Sequence, residues 1–269
     1  MQTAAALQMC STGDINENLA QAEQLIAQAV AHGARLVVLP EMFALLGCQH
    51  AEKIMHYETQ GSGKIQDFLA QTAEKYQIWL VGGTIPLLSN TPDKIRAACI
   101  VYDDIGQAVA RYDKIHLFDV QLSQQEVYLE SATTEAGDQL VVVNTPIGKL
   151  GLCICFDLRF PVIFNELSRK GAEVIAIPAA FTVKTGQAHW ELLVRCRALE
   201  TQAFIIAAGQ SGHHPNNRVT YGHSMLVNPW GEIIAEQHVT GPGVVHASIN
   251  LEQVYAVRRQ LPVVPIKPS

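Results

Sequence analysis

Residues 33–43 read GARLVVLPEMF and residues 171–181 read GAEVIAIPAAF, with Gly, Ala, Pro and Phe in register. Each copy has the form of a helix stop followed by a short, continuously apolar strand. Upstream of the first copy, residues 16–32 place Leu19, Ala22, Ile26, Ala29 and Val30 on one helical face, and Gly33 supplies the stop. The repeat resumes at residues 77–85, QIWLVGGTI, against residues 202–210, QAFIIAAGQ, each preceded by a helix-like stretch (65–76 and 189–201). A hairpin then follows in each half, 99–109 turning near 103–106 and 225–234 turning at 228–231. Strands apolar on both faces, such as 36–39 and 174–177, need cover on both sides. A duplicated α/β unit with two packed sheets, helices outside and sheets inside, meets that need, whereas a single doubly wound sheet is the alternative. No Pro/Ser-rich linker or charged block divides the chain, so residues 1–269 read as one domain closing in a Pro-rich, extended tail at 261–269.

Bulk properties narrow the function. The 269 residues are 48% hydrophobic, enough for a sizeable core, and a net charge of −6 with scattered Lys and Arg argues against nucleic-acid binding. Residues 1–10, MQTAAALQMC, carry neither a basic leader nor a long apolar stretch, so a cytoplasmic protein without membrane association is expected. Six cysteines (Cys10, Cys48, Cys99, Cys153, Cys155 and Cys196) are spread through the chain without the density of a disulfide scaffold or a zinc-ligand spacing. Reduced thiols, with no metal and no cofactor, are the expectation.

Three segments carry groups suited to acyl transfer. In GKLGLCICFDLRFP (148–161) a buried strand ends at Cys155, and the run Asp157, Leu158, Arg159 reads as the opening of a helix. A thiol on such a turn sits near backbone N–H groups that lower its pKa and bind a developing oxyanion. Taken alone, a free cysteine is more often a buried small hydrophobe. Glu41 follows the apolar strand directly, where the second copy has Ala179, and a carboxylate there is costly to desolvate unless it has a task or a partner. Capping or ion pairing is the bland alternative. In YDKIHLFD (112–119), Lys114 ends an apparent strand among apolar neighbours, where its ammonium would stabilise thiolate and oxyanion alike.

Together LPEMF, YDKIHLFD and GLCICFDLRFP resemble the nitrilase superfamily of carbon-nitrogen hydrolases over nearly the whole chain. The resemblance implies a four-layer αββα sandwich of two mixed sheets, with Cys155 as nucleophile, Glu41 as general base and Lys114 as oxyanion stabiliser. It also implies a second glutamate, Glu130 in YLESATTEAG (128–137), that orients Lys114 or assists proton transfer. Residues 186–202, GQAHWELLVRCRALETQ, and 221–232, YGHSMLVNPWGE, are similar to the branch of deaminated glutathione amidases and omega-amidases. That branch commonly has Gly-Pro-Ala-His-Trp where this chain has Gly186, Gln187, Ala188, His189 and Trp190.

The resulting expectation is an amidase forming a cysteine thioester on a small 2-oxo acid amide and releasing ammonia. Deaminated glutathione is the first choice; 2-oxoglutaramate, a carbamoylase or a nitrilase activity are the alternatives. The Phe156 N–H completes the oxyanion site, while Arg159, Phe181, Thr182 and His189 are the binding candidates, with Lys184 and Arg218 as further cations for substrate carboxylates. Family members pair through the helices after the nucleophile and around HWELL, so a homodimer or larger homo-oligomer is expected. Two rivals remain: a Cys-His hydrolase using His116, His189 or His223, and a non-catalytic binding protein on the same fold. A nucleotide site lacks support, since Gly61–Gly63 and Gly82–Gly83 build no phosphate loop.

Overall fold

The computed structural model describes residues 1–47, 56–124 and 126–263. Cys48 and the last part of the Pro-rich tail lie outside the described residues.

The helix Ile15–Ala31 starts where Asp14 accepts hydrogen bonds from the backbone N–H groups of Asn16 and Glu17, and it ends before Gly33, whose φ is +83°. It delivers the chain into the strand Ala34–Val38, which lies parallel between Gln2–Gln8 and Trp79–Val81. Beyond Trp79–Val81 the sheet turns antiparallel with Ile95–Tyr102, which also pairs with Ile85–Leu88 and Ala108–Asp113. On the other side Gly243–Ile249 runs antiparallel to Gln2–Gln8. The second sheet repeats this plan. Val174–Ala179 lies parallel between Gly148–Leu152 and Phe204–Gly209, followed by the antiparallel hairpin Met225–Val227 and Ile233–Glu236, with Val142–Thr145 at the opposite edge.

Alternation along the strands assigns the layers. Ala4, Ala6, Leu36, Val38 and Val101 pack against the second sheet, while Ala5, Leu7, Val37, Leu39 and Ile100 face the helices Ile15–Ala31 and Lys64–Tyr76. The second sheet's other face is covered by Pro161–Arg169 and Val183–Thr201, through Phe164, Leu167, Trp190 and Val194. Helices outside and two sheets inside give the αββα sandwich. Gln77 and Gln202, in register in the sequence repeat, are both left-handed residues (φ +50°) that end the helices before Trp79–Val81 and Phe204–Gly209.

The structure departs from the sequence reading at two element starts. The second long helix begins at Val183 and not near His189, because Thr182 caps it by accepting from the Thr185 N–H. The segment containing Gln187 is therefore helical, and Gly186 is retained because a Cβ there would meet the Tyr221 ring at 2.2 Å. After Cys155 the chain forms a 3-10 turn, Cys155–Arg159, before the α-helix Pro161–Arg169. Pro161 fixes a good first helical residue but disfavours helical geometry at Phe160, which is extended (φ −112°, ψ 96°).

Candidate active site

Cys155 stands three residues beyond the strand Gly148–Leu152 of the second sheet with φ +44°, a left-handed backbone that a non-glycine residue holds only where the surroundings enforce it. The enforcement comes from Asp157, which is fully buried. Its carboxylate accepts from the Ile154 N–H (2.9 Å), the Tyr112 hydroxyl (2.7 Å) and the His116 N–H (2.9 Å), and it also contacts His116 Nδ1 (2.9 Å). One side chain thus ties the cysteine turn to both sides of Lys114. Sequence reasoning read Asp157 only as a helix opener; the clue was a carboxylate inside an otherwise apolar run.

Lys114 is 2% exposed, and its ammonium donates to Glu41 Oε1 at 2.7 Å and to Glu130 Oε2 at 2.8 Å. Burial works against the charge, but Glu130, Glu41 and Cys155 outweigh it and raise the Lys114 pKa, so the ammonium persists. Glu130 is itself held by the Phe118 N–H at 2.7 Å. The Glu41 backbone is fixed by Gln210 Nε2, which donates to its carbonyl at 3.1 Å, and by Thr84 Oγ1, which accepts from the Met42 N–H at 2.7 Å. Gly83 allows the close approach, since a Cβ would fall 2.2 Å from the Pro40 carbonyl oxygen. Gln210 and Thr84 were also missed from sequence; each is a polar residue just past the end of an apolar strand.

The Cys155 thiol lines the same cavity as Glu41 and Lys114. Burial, then the Glu41 charge, push its pKa up, with Lys114 and the Ala180 backbone pulling the other way. The direction is opposite to the sequence expectation of a depressed pKa, because Cys155 is only 6% exposed and its thiol shares its lysine with two carboxylates. Carboxylate, ammonium and thiol thus meet in one place, and the direction of the shift favours the protonated thiol. Alkylation of Cys155 by iodoacetamide should therefore rise steadily with pH through the alkaline range. A rate plateau reaching down to acid pH would instead indicate a preformed thiolate-imidazolium pair. His116, one of the histidines considered for such a pair, is engaged by Asp157 and stacked on Phe160 at 3.5 Å.

Glu41, Lys114 and Cys155 line a cavity of about 350 Å³. Phe118, Tyr128, Phe156 and Phe181 supply aromatic walls, and Arg159 and Arg218 supply positive charge. The Arg159 guanidinium lies over the rings of Phe156 (5.9 Å) and Phe181 (5.3 Å) and meets His189 Nδ1 at 3.2 Å. His189 is exposed and contacts Arg159 without lining the cavity, and Thr182 is turned into its helix cap, 2.9 Å from Thr185 Oγ1. Of the binding candidates, Phe156, Arg159 and Phe181 line the cavity; Thr182 and His189 do not. Lys184 is exposed and donates to the Leu122 carbonyl at 2.9 Å. Among the described residues no helix is long and apolar enough to cross a membrane.

A two-sheet sandwich with Glu, Lys and Cys meeting in one cavity is the arrangement of a carbon-nitrogen hydrolase. The carbon-nitrogen hydrolase family model matches residues 3–259, and the chain belongs to that family, as an amidase-type enzyme of the nitrilase superfamily. It is 42% identical over 261 residues to the deaminated glutathione amidase of Yersinia enterocolitica, covering 96% of this chain and 90% of that one. Against the human deaminated glutathione amidase the identity is 39% over 263 residues, 96% of this chain and 80% of the relative. Saccharomyces cerevisiae Nit3, a member of branch 10 of the nitrilase superfamily, superposes with a TM-score of 0.88 at 31% identity, covering 98% of this chain and 96% of that one. The C. elegans NitFhit protein gives the same TM-score at 34% identity; the match covers 99% of this chain but only 65% of the NitFhit chain.

Proposed function

We propose that the protein hydrolyses the amide of a 2-oxoglutaryl compound, with deaminated glutathione as substrate, through a thioester on Cys155. The observation that carries this reading is a single cavity lined by Glu41, Lys114 and Cys155 together with Arg159 and Arg218. Glu41 takes the thiol proton as sulfur attacks the amide carbon. The oxyanion forms between the Lys114 ammonium and the Phe156 N–H, each such donor contributing about 3 kcal/mol in a dry site. Glu41 then protonates the departing amine, leaving the thioester; it next deprotonates a water, which cleaves the thioester and frees the acid and the thiol. Glu130 positions Lys114 throughout.

Deaminated glutathione carries a 2-oxo acid carboxylate at one end and a glycine carboxylate at the other, which suits two arginines. Its leaving group is the amine of cysteinylglycine, so of these two substrates the ammonia expected above applies to 2-oxoglutaramate and not to deaminated glutathione. Beyond Tyr128 and Arg218 the cavity adjoins an open groove bordered by Lys184 and Gln187, room that a primary amide would not use. The test is 2-oxoglutarate formation from deaminated glutathione and from 2-oxoglutaramate, beside turnover of a carbamoyl amine and a simple nitrile. Similar rates on all four would overturn the substrate choice. Arg159→Leu should raise KM for the preferred anionic substrate about 10- to 100-fold, the weight of a lost charged hydrogen bond, with a smaller change in kcat.

The working unit in this proposal is a cytoplasmic homodimer or larger homo-oligomer. Supporting it, Val162 (70% exposed) and Leu192 (71%) are apolar side chains open to solvent on the adjacent helices Pro161–Arg169 and Val183–Thr201. Light scattering that returned only the 29.4 kDa monomer would overturn the assembly, and cell fractionation tests the compartment.

A further inference from the structure

Away from the cavity, one hairpin of the second sheet gathers three potential metal ligands that cysteine spacing could not reveal. His223 lies just before Met225–Val227, Glu236 ends Ile233–Glu236, and His238 follows two residues later. Met225 pairs with Glu236, and the Gln237 N–H donates to the Ser224 carbonyl, so the ladder carries on toward His223 on one side and His238 on the other. Glu236 and His238, two apart on an extended segment, share a face. The donor atoms of all three fall within 4.8 Å of one another, with His223 Nδ1 at 2.7 Å and His238 Nδ1 at 3.6 Å from Glu236 Oε1.

The scaffold is already ordered. The His223 ring stacks on Tyr221 (centroids 4.2 Å apart, 15° between planes), and its backbone carbonyl accepts from Trp190 Nε1 at 2.7 Å. The Glu236 side chain is 13% exposed and that of His238 75%, so one ligand is fixed and another is free to swing. A four-coordinate zinc ion with bonds of about 2.0–2.1 Å needs ligand atoms roughly 3.4 Å apart. The His223–Glu236 and His238–Glu236 spacings straddle that distance, and rotation of His238 closes the rest.

We propose that His223, Glu236 and His238 bind a divalent metal ion of the Zn2+ type, water completing the shell. Two imidazoles and one carboxylate suit a borderline-soft cation such as zinc, nickel or copper, not calcium or magnesium, which favour oxygen donors. The ion would cross-link the hairpin to the segment after it and take no part in amide hydrolysis.

Calorimetric titration of the protein with ZnCl2 tests this, with His238→Ala and Glu236→Gln as variants and thermal unfolding as a second readout. His238 is exposed, so its replacement leaves folding intact. We expect zinc binding weakened at least about tenfold in each variant, since even an outer-shell partner is worth that much, together with loss of the zinc-dependent rise in Tm. Because zinc also binds thiols, Co2+ substitution identifies the ligands; nitrogen and oxygen donors give no sulfur-to-metal charge-transfer band. Unchanged zinc affinity in His238→Ala, no binding by the unaltered protein, or a thiolate band would each overturn the site.

Discussion

Glu41→Gln should lower kcat by about three orders of magnitude, with little change in KM, while making Cys155 easier to ionise. The two effects have opposite signs, and together they separate a base from a structural group. A positioned acid-base residue contributes about 10²- to 10⁴-fold, and in the proposed mechanism this one acts in both halves of the reaction. Glu41 also raises the Cys155 pKa by its charge, while Lys114 lowers it. A neutral amide removes the opposing charge and leaves the Lys114 ammonium, still held by Glu130 at 2.8 Å, next to the sulfur. The pH at which iodoacetamide labelling rises should therefore move toward neutrality in Glu41→Gln even as hydrolysis fails. If labelling and hydrolysis fell together, the substitution would have disordered the site and the assignment of Glu41 as base would lose its support. Glu41→Asp, which keeps the charge and shortens the reach, should recover part of kcat and restore the alkaline profile.

Much of this site was readable in the sequence because its acidic and basic members break a pattern. Glu41 interrupts a strand whose repeat has Ala179, and Lys114 ends a strand of apolar neighbours; Cys155 terminates a buried run. The layer order followed from the same repeat, since strands apolar on both faces need two covers. What escaped was everything fixed by approach in space. Thr182 read as a pocket residue because residues 178–182 are the second copy's counterpart of the Glu41 strand end, yet its hydroxyl is taken by the helix it caps. His189 sits in a motif beside Trp190, but the helix turns it outward onto Arg159. The thiol's raised pKa depended on burial and on two carboxylates sharing one lysine, and neither is visible in a string of letters.

Asp157 is the sharpest case of such spatial wiring, and its removal should cost a large share of the stability. The carboxylate is wholly buried, and its partners are two backbone N–H groups, a buried tyrosine hydroxyl and an imidazole. In Asp157→Ala the Ile154 N–H, the His116 N–H and the Tyr112 hydroxyl lose their acceptor where water has little access. At roughly 1 kcal/mol or more for each stranded donor, the loss should be at least about 3 kcal/mol, a large part of the stability of an ordinary domain. Asp157→Asn keeps the volume but has one acceptor oxygen, and its NH2 group must face a donor, so it should fall between Ala and the unaltered protein. Urea unfolding measures both. Activity should fall in the folded fraction as well, because the turn holding Cys155 at φ +44° and the segment flanking Lys114 are tied to the same two oxygens. A loss below about 1 kcal/mol in Asp157→Ala, less than a single unsatisfied buried donor is worth, would mean that the network is not what holds the cysteine turn to the lysine strand.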